Sequence, residues 1–114
     1  MAKKKHPDPL RRRHLVEQEM DPARALQIAE AYLEDDRALE AVAFLVKAEA
    51  RERLVALREQ AVREGDAFLF RETCVALEEE ADAATWRALA EAARAAGKEL
   101  YAAEASRQAA RLED

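Results

Sequence analysis

Glycine and proline are scarce in this chain of 114 residues. There are 2 glycines and 3 prolines, and every proline precedes residue 23. Proline removes a hydrogen bond from a helix interior and glycine weakens a helix, so beyond residue 23 only Gly65 and Gly97 disfavour helix formation. Alanine, arginine and glutamate are abundant, and all three favour helix. The composition predicts an all-α fold.

Cysteine, aromatic residues and long apolar runs are scarce as well. Cys74 is the only cysteine, so no disulfide can form within the chain, as is usual in a reducing cytoplasm. Aromatic residues make up 5% of the chain, which predicts a thin and close-packed core. No apolar run approaches the roughly 20 residues of a membrane span. The basic N-terminus is not followed by the apolar stretch of a secretory signal. We therefore expect a cytoplasmic protein.

The residue patterns of catalytic sites are missing. His6 and His14, the only histidines, lie in or beside the basic N-terminal segment, and no His/Cys/Glu spacing matches a metal site. The two glycines are isolated and do not form a phosphate-binding loop. No local motif pairs a nucleophile with a base. The sequence predicts no enzyme activity, no catalytic residue, no metal and no cofactor.

Capping signals divide the chain into helices. Asp8-Pro9 and Asp21-Pro22 each combine an N-cap with a proline at the first helical position. They predict a short helix to about residue 19 and a longer one to about residue 36. Gly65 marks a helix end, and Asp66 caps the next helix, which is predicted from residue 67 to about residue 80. Asp82 caps the helix that ends at Gly97, and a last helix begins at Lys98.

The segment from residue 37 to residue 64 has one apolar stripe at helical spacing and no breaker. With Asp36 as its N-cap, it forms either one long helix or two helices with a tight turn near Ala48 to Arg51. Globular helices rarely pass about 25 residues without a cap, which favours two helices. Short connections make neighbouring helices antiparallel. We therefore predict three antiparallel helical hairpins behind a short N-terminal helix.

The first and third predicted hairpins share a layout of large and small residues. Each has a large residue early in its first helix, a large–small pair before the turn and small residues after it. The matching residues are Ile28, Ala29, Tyr32, Ala41, Leu45 and Ala48 in residues 21–48, and Trp86, Leu89, Ala90, Ala102 and Ala109 in residues 82–109. This layout resembles the tetratricopeptide repeat (TPR), in which small residues let helix axes approach closely. The middle hairpin departs from it, with Arg58 and Phe70 at positions that the family keeps small.

The resemblance implies a TPR-like α-solenoid or right-handed superhelical bundle, with a plain three-hairpin bundle as the alternative. It further implies a non-enzymatic interaction module that binds a protein or peptide partner. In the family, the first helix of each hairpin lines a concave face. The residues that would line that face here are Leu26, Glu30, Leu33 and Glu34 in the first hairpin, and Arg87, Glu91 and Arg94 in the third.

The run Phe68-Leu69-Phe70 places apolar side chains around most of a helical turn. A helix in a small bundle normally buries a stripe and not its whole circumference. Either the middle hairpin is covered on both sides, or Phe68 or Phe70 contacts a second copy of the chain. A monomer and a homodimer both remain open.

Charge is unevenly distributed along the chain. The formal net charge is −5, yet residues 1–14 carry six basic residues against Asp8 alone. Residues 1–7 are expected to form a disordered basic tail, and residues 8–114 a single domain. The basic leader allows an alternative function, a nucleic-acid- or ribosome-associated protein, although the acidic body and the lack of interleaved aromatic residues disfavour it.

An acidic cluster follows the middle hairpin. Its members are Glu78, Glu79, Glu80 and Asp82. Carboxylates at the C-terminal end of a helix oppose its dipole, which is tolerable if they meet a basic partner. The other interpretation is a solvated turn whose charges are favourable before the next helix.

Overall fold

The chain forms seven α-helices joined by short connections in the computed structural model, which describes residues 6–113. No strand occurs in that range, so the all-α prediction is confirmed. Separate helices on either side of residues 48–50 also confirm the break within residues 37–64. The helices are α1 (Pro9–Glu17), α2 (Pro22–Glu34), α3 (Ala38–Lys47), α4 (Arg51–Glu64), α5 (Ala67–Leu77), α6 (Ala83–Ala95) and α7 (Glu99–Glu113).

The helices pair in chain order. Antiparallel contacts join α2 to α3, α4 to α5 and α6 to α7, as expected for three hairpins behind a short leading helix. The chain divides into two compact units between Leu54 and Val55, within α4. We call them the N-terminal unit and the C-terminal unit. None of the described helices is long and apolar enough to cross a bilayer.

Five consecutive helices, α2 to α6, end in the same way. In each, one residue adopts the left-handed conformation, its N–H donates to the carbonyl three residues back, and the next N–H donates to the carbonyl five residues back. This Schellman arrangement satisfies carbonyls that the helix end leaves free. The left-handed residues are Asp36, Glu49, Gly65, Glu78 and Gly97.

Two helix boundaries differ from the sequence-based predictions. Asp36 has φ 59° and closes α2, so its prediction as the N-cap of α3 is wrong; that position is held by Arg37, whose side chain makes no capping bond. Helix α5 ends at Leu77 and not near residue 80, because Glu78 turns left-handed with φ 56°. In both places a residue other than glycine adopts the left-handed backbone conformation, which strongly favours glycine.

The N-terminal unit has an aromatic core. The rings of Tyr32 on α2 and Phe44 on α3 stack with centroids 5.9 Å apart, and both are fully buried. Ala29 and Ala41, two of the positions expected to be small, are also fully buried in this pair. Burial raises the pKa of the Tyr32 hydroxyl. That hydroxyl donates to the carbonyl of Pro7 at 3.0 Å.

Two residues of the expected disordered tail contact this core. The imidazole of His6 stacks on Tyr32 at 4.6 Å, and its Nε2 lies 2.7 Å from Asp35 Oδ2. Pro7 accepts the Tyr32 hydrogen bond. The chain is therefore placed against α2 from His6 onward, while residues 1–5 of the predicted tail lie outside the described range.

The C-terminal unit buries small residues and brings backbones together. Gly65, in the turn between α4 and α5, lies so close to α6 that an added Cβ would be 2.4 Å from Ala93 Cα and N. Ala90 and Ala102 are buried as expected of small positions in a helix pair. Phe70 of α5 meets Trp86 of α6 edge to face, at 4.8 Å between ring centroids. One large ring pair and a glycine contact therefore hold α6 to the α4–α5 pair.

Candidate functional site

The predicted concave-face residues of α2 begin beside its buried stripe, at Leu26 and Leu33, and extend to the exposed side of the helix at Glu34. Leu26, Glu30 and Leu33 are partly exposed, and Glu34 is exposed. Glu30 Oε1 lies 3.4 Å from Arg53 Nη2 at the start of α4. This surface is thus half apolar and half charged, and all four residues share one helix of the N-terminal unit.

The predicted residues of α6 are exposed and engaged in ion pairs within the C-terminal unit. Arg87 pairs with Glu113 on α7. Arg94 Nη1 lies 3.7 Å from Glu91 Oε1, one turn back on α6. Exposed pairs of this kind add little stability, because solvent screens them and both side chains lose entropy. They leave Arg87, Glu91 and Arg94 accessible to a partner.

The two candidate oligomer contacts have opposite environments. Phe68 has 52% of its surface exposed, whereas Phe70 has none and packs against Trp86. Phe70 therefore offers no surface to a second copy, which corrects the prediction for that residue. Residues two apart on a helix project about 200° from each other, so one can be core and the other surface.

The basic leader is divided in the structure. Lys3, Lys4 and Lys5 lie outside the described residues. Arg12 belongs to the fold: its guanidinium carbon is 5.9 Å from the Tyr32 ring centroid and 5.7 Å from that of Phe44, and its Nη2 donates to the Glu40 carbonyl. Its neighbours Arg11 and Arg13 are exposed. Of the six basic residues in the leader, which the alternative nucleic-acid function would use to contact phosphates, Arg12 thus has a structural role.

Two clefts open on either side of the α5–α6 connection, within the C-terminal unit. The first, which we call the Trp86 cleft, has a volume of about 410 Å³, and the second, the Thr85 cleft, about 580 Å³. The Trp86 cleft is lined by Arg71, Cys74, Val75, Glu78, Glu79, Glu80, Ala81, Trp86, Gln108, Arg111 and Leu112. The Thr85 cleft is lined by Arg58, Glu59, Val62, Phe70, Glu79, Glu80, Ala81, Asp82 and Thr85.

The acidic cluster forms the ridge between these clefts, and its members have different roles. Asp82 caps α6 by accepting from Thr85 N at 2.8 Å and Thr85 Oγ1 at 2.7 Å, which lowers the Asp82 pKa. Glu79 accepts from Arg58 Nη1 at 2.9 Å. Glu78 and Glu80 are exposed, and neither forms an ion pair with another residue between 6 and 113. All four carboxylates are exposed, and Glu78 and Glu80 are the two that neither cap a helix nor pair with an arginine within the described residues.

The Cys74 thiol lies in the wall of the Trp86 cleft. Burial raises its pKa, and the nearby Arg58 guanidinium opposes that effect only in part. A raised pKa keeps the sulfur in the protonated, poorly nucleophilic form at neutral pH. Within residues 6–113, no group of three or more histidine, cysteine or acidic side chains is arranged to hold a metal ion.

Comparison of the chain with family models, with curated proteins and with solved structures found no significant match.

The acidic cluster was predictable from the sequence, whereas the clefts that it separates were not. The clefts depend on side chains from α4, α5, α6 and α7 coming together, which no local pattern encodes. Glu78 to Glu80 at the C-terminal end of a helix were the available signal, because carboxylates are unfavourable there without a compensating role.

Proposed function

We propose that this chain is a non-enzymatic interaction module, a TPR-like adaptor that binds a protein or peptide partner. The observation that carries the proposal is the run of three antiparallel helix pairs, of which the first and the third bury their expected small positions. Ala29 and Ala41 in the first pair, and Ala90 and Ala102 in the third, have at most 4% of their surface exposed. Close helix approach at such positions is the packing principle of the resembled family.

The exposed side chains also support binding. The α2 surface around Leu26 and Leu33 combines apolar and acidic groups, and α6 presents Arg87, Glu91 and Arg94. A protein–protein interface typically has an apolar centre surrounded by polar groups. Charged groups at its rim set the orientation of the partner. The two surfaces together offer both kinds of group.

The proposal is tested by presenting the full chain to a peptide library that covers acidic, basic and apolar compositions. We expect saturable binding of at least one composition class, measured by interferometry. Absence of binding to every class would overturn the function. In a second step, Arg87→Glu/Arg94→Glu is compared with Arg63→Glu/Arg107→Glu, which makes the same charge change elsewhere in the C-terminal unit. Loss of affinity in the first variant alone assigns the partner to α6.

A further inference from the structure

The Trp86 cleft combines an apolar surface with an acidic edge. Val75, on α5, has 74% of its surface exposed although it is aliphatic, and it lines the cleft together with Leu112 of α7 and Trp86 of α6. The α5–α6 connection forms the edge, with the exposed carboxylates of Glu78 and Glu80. An apolar side chain and a cation placed side by side would therefore both find a favourable contact.

Negative charge prevails around the α5–α6 connection as a whole. The two clefts are lined by five carboxylates, Glu59, Glu78, Glu79, Glu80 and Asp82, and by three guanidinium groups, Arg58, Arg71 and Arg111. Two of the three arginines face a carboxylate already, since Arg58 pairs with Glu79, and Arg71 with Glu104. Carboxylates therefore outnumber guanidinium groups around the connection, and its net charge is negative.

The part of the Trp86 cleft that α7 contributes has the other sign. Arg111, on α7, makes hydrogen bonds to Gln108 Oε1 from Nε at 3.2 Å and from Nη2 at 2.9 Å, and has no carboxylate partner within residues 6–113. A cation near Arg111 would be repelled, whereas a cation near Glu78 and Glu80 would be attracted. The cleft therefore has a polarity that orients a bound chain.

We propose that the Trp86 cleft binds an extended segment of a partner protein in which lysine or arginine neighbours an apolar residue, with the cation at Glu78 and Glu80 and the apolar side chain on Val75 and Leu112. This inference rests on the proposed function, and it names a partner chemistry at a surface other than the predicted residues of α2 and α6. Complementary charge sets the register, and burial of apolar area supplies affinity.

The cleft contains two built-in reporters. Trp86 and Cys74 are the only tryptophan and the only cysteine of the chain, and both line it. The probe is a nine-residue peptide of alternating arginine and leucine; its counterpart has glutamate in place of arginine. We expect the arginine peptide to change Trp86 fluorescence saturably, and to slow alkylation of Cys74 by N-ethylmaleimide at least threefold. Raising the salt concentration should weaken this binding, since the charges are solvent-exposed.

Charge-reversal variants of the full chain locate the binding. Glu78→Lys/Glu80→Lys should bind the arginine peptide about tenfold more weakly, because two attractions become repulsions at an exposed site. Glu72→Lys/Glu99→Lys makes the same change in net charge at exposed positions outside the cleft lining, and should change affinity less than twofold. Thermal unfolding of both variants, followed by circular dichroism, checks that they fold.

The outcomes separate this inference from the proposed function. Equal weakening in the two variants, or equal binding of the glutamate peptide, overturns the basic-segment assignment. If other library peptides bind but the arginine peptide leaves both reporters unchanged, the inference is wrong and the adaptor function stands. If no peptide of any class binds, both are wrong.

Discussion

The two units fill the space between their helices in different ways. In the N-terminal unit, aromatic rings occupy this space. His6 stacks on Tyr32, and Tyr32 stacks on Phe44, with the guanidinium of Arg12 beside them. In residues 55–113, one ring pair is accompanied by alanines and by a glycine whose backbone touches α6. A ring leaves a large cavity when it is removed, whereas a backbone contact has no side chain that can move aside. We expect the N-terminal unit to be most sensitive to deleted atoms and the C-terminal unit to added ones.

The largest effect is expected from deleting a ring in the N-terminal unit. Phe44→Ala should lower the free energy of unfolding by about 4 kcal/mol, because Phe44 is fully buried and its removal leaves a cavity. Leu39→Ala, on the exposed side of the same helix, should cost less than about 0.5 kcal/mol. Urea unfolding followed by circular dichroism measures both. Similar costs at the two positions would contradict the aromatic core.

Adding one carbon to the C-terminal unit should have the next largest effect. Gly65→Ala combines a left-handed backbone with a clash against Ala93, and should cost about 3 kcal/mol. Gly97→Ala has the same backbone conformation, with φ 75° against 69°, but nothing lies within 4 Å of the added carbon. It should cost about 1 kcal/mol. The difference between the two free energies isolates the clash, and equal values would disprove the close contact.

Removing the guanidinium beside the aromatic stack should have a smaller effect. Arg12→Ala loses the contacts with the Tyr32 and Phe44 rings and the hydrogen bond to the Glu40 carbonyl, at a cost of about 1.5 kcal/mol. Arg13→Ala removes the same charge from an exposed side chain that pairs with Glu17, 3.8 Å away, and should be nearly neutral. Thermal unfolding of the two variants, measured side by side, tests this difference. Equal melting temperatures would mean that the Arg12 side chain lies in solvent and not against the rings.

The smallest effect should have the opposite sign. Glu49 ends α3 with φ 55°, a conformation that is strained for any residue with a Cβ. Glu49→Gly should raise the free energy of unfolding by about 0.5 kcal/mol, because relief of strain exceeds the added entropy of the unfolded chain. Glu52→Gly, in the first turn of α4, should instead lower it by about 1 kcal/mol, because glycine weakens the helix and the favourable acidic charge at its N-terminus is lost. Destabilisation by both changes would contradict the left-handed turn.

Helix starts were predictable because capping is local. Asp8, Asp21, Asp66 and Asp82 were expected to cap helices, and each side chain accepts a backbone N–H two or three residues later. Helix ends were signalled locally where glycine occupies the left-handed position, at Gly65 and Gly97, while the turn at Glu49 was predicted only from the length of its segment. Asp36 and Glu78 hold the same turn without signalling it, so Asp36 was predicted to be an N-cap and α5 was predicted to continue to about residue 80.

The candidate site was less predictable than the fold. Phe68 and Phe70 are residues of the same type, two positions apart. Phe70 is buried because α6 packs against its side of the helix, whereas Phe68 is exposed. The clefts require the C-terminal turns of α7 to face α5, residues more than thirty positions apart in the chain. Periodicity describes each helix alone and carries no information about which helix its outer face meets.

The length of the α5–α6 connection has a consequence for how this chain can vary. Three residues separate α2 from α3, α3 from α4, and α6 from α7, and two residues separate α4 from α5. The connection between α5 and α6 is longer, with five residues. An insertion inside a helix rotates everything beyond it by about 100° and moves buried side chains to the surface. An insertion in the α5–α6 connection only lengthens the ridge between the Trp86 and Thr85 clefts. Related chains can therefore change the depth of both clefts there while the helices keep their register.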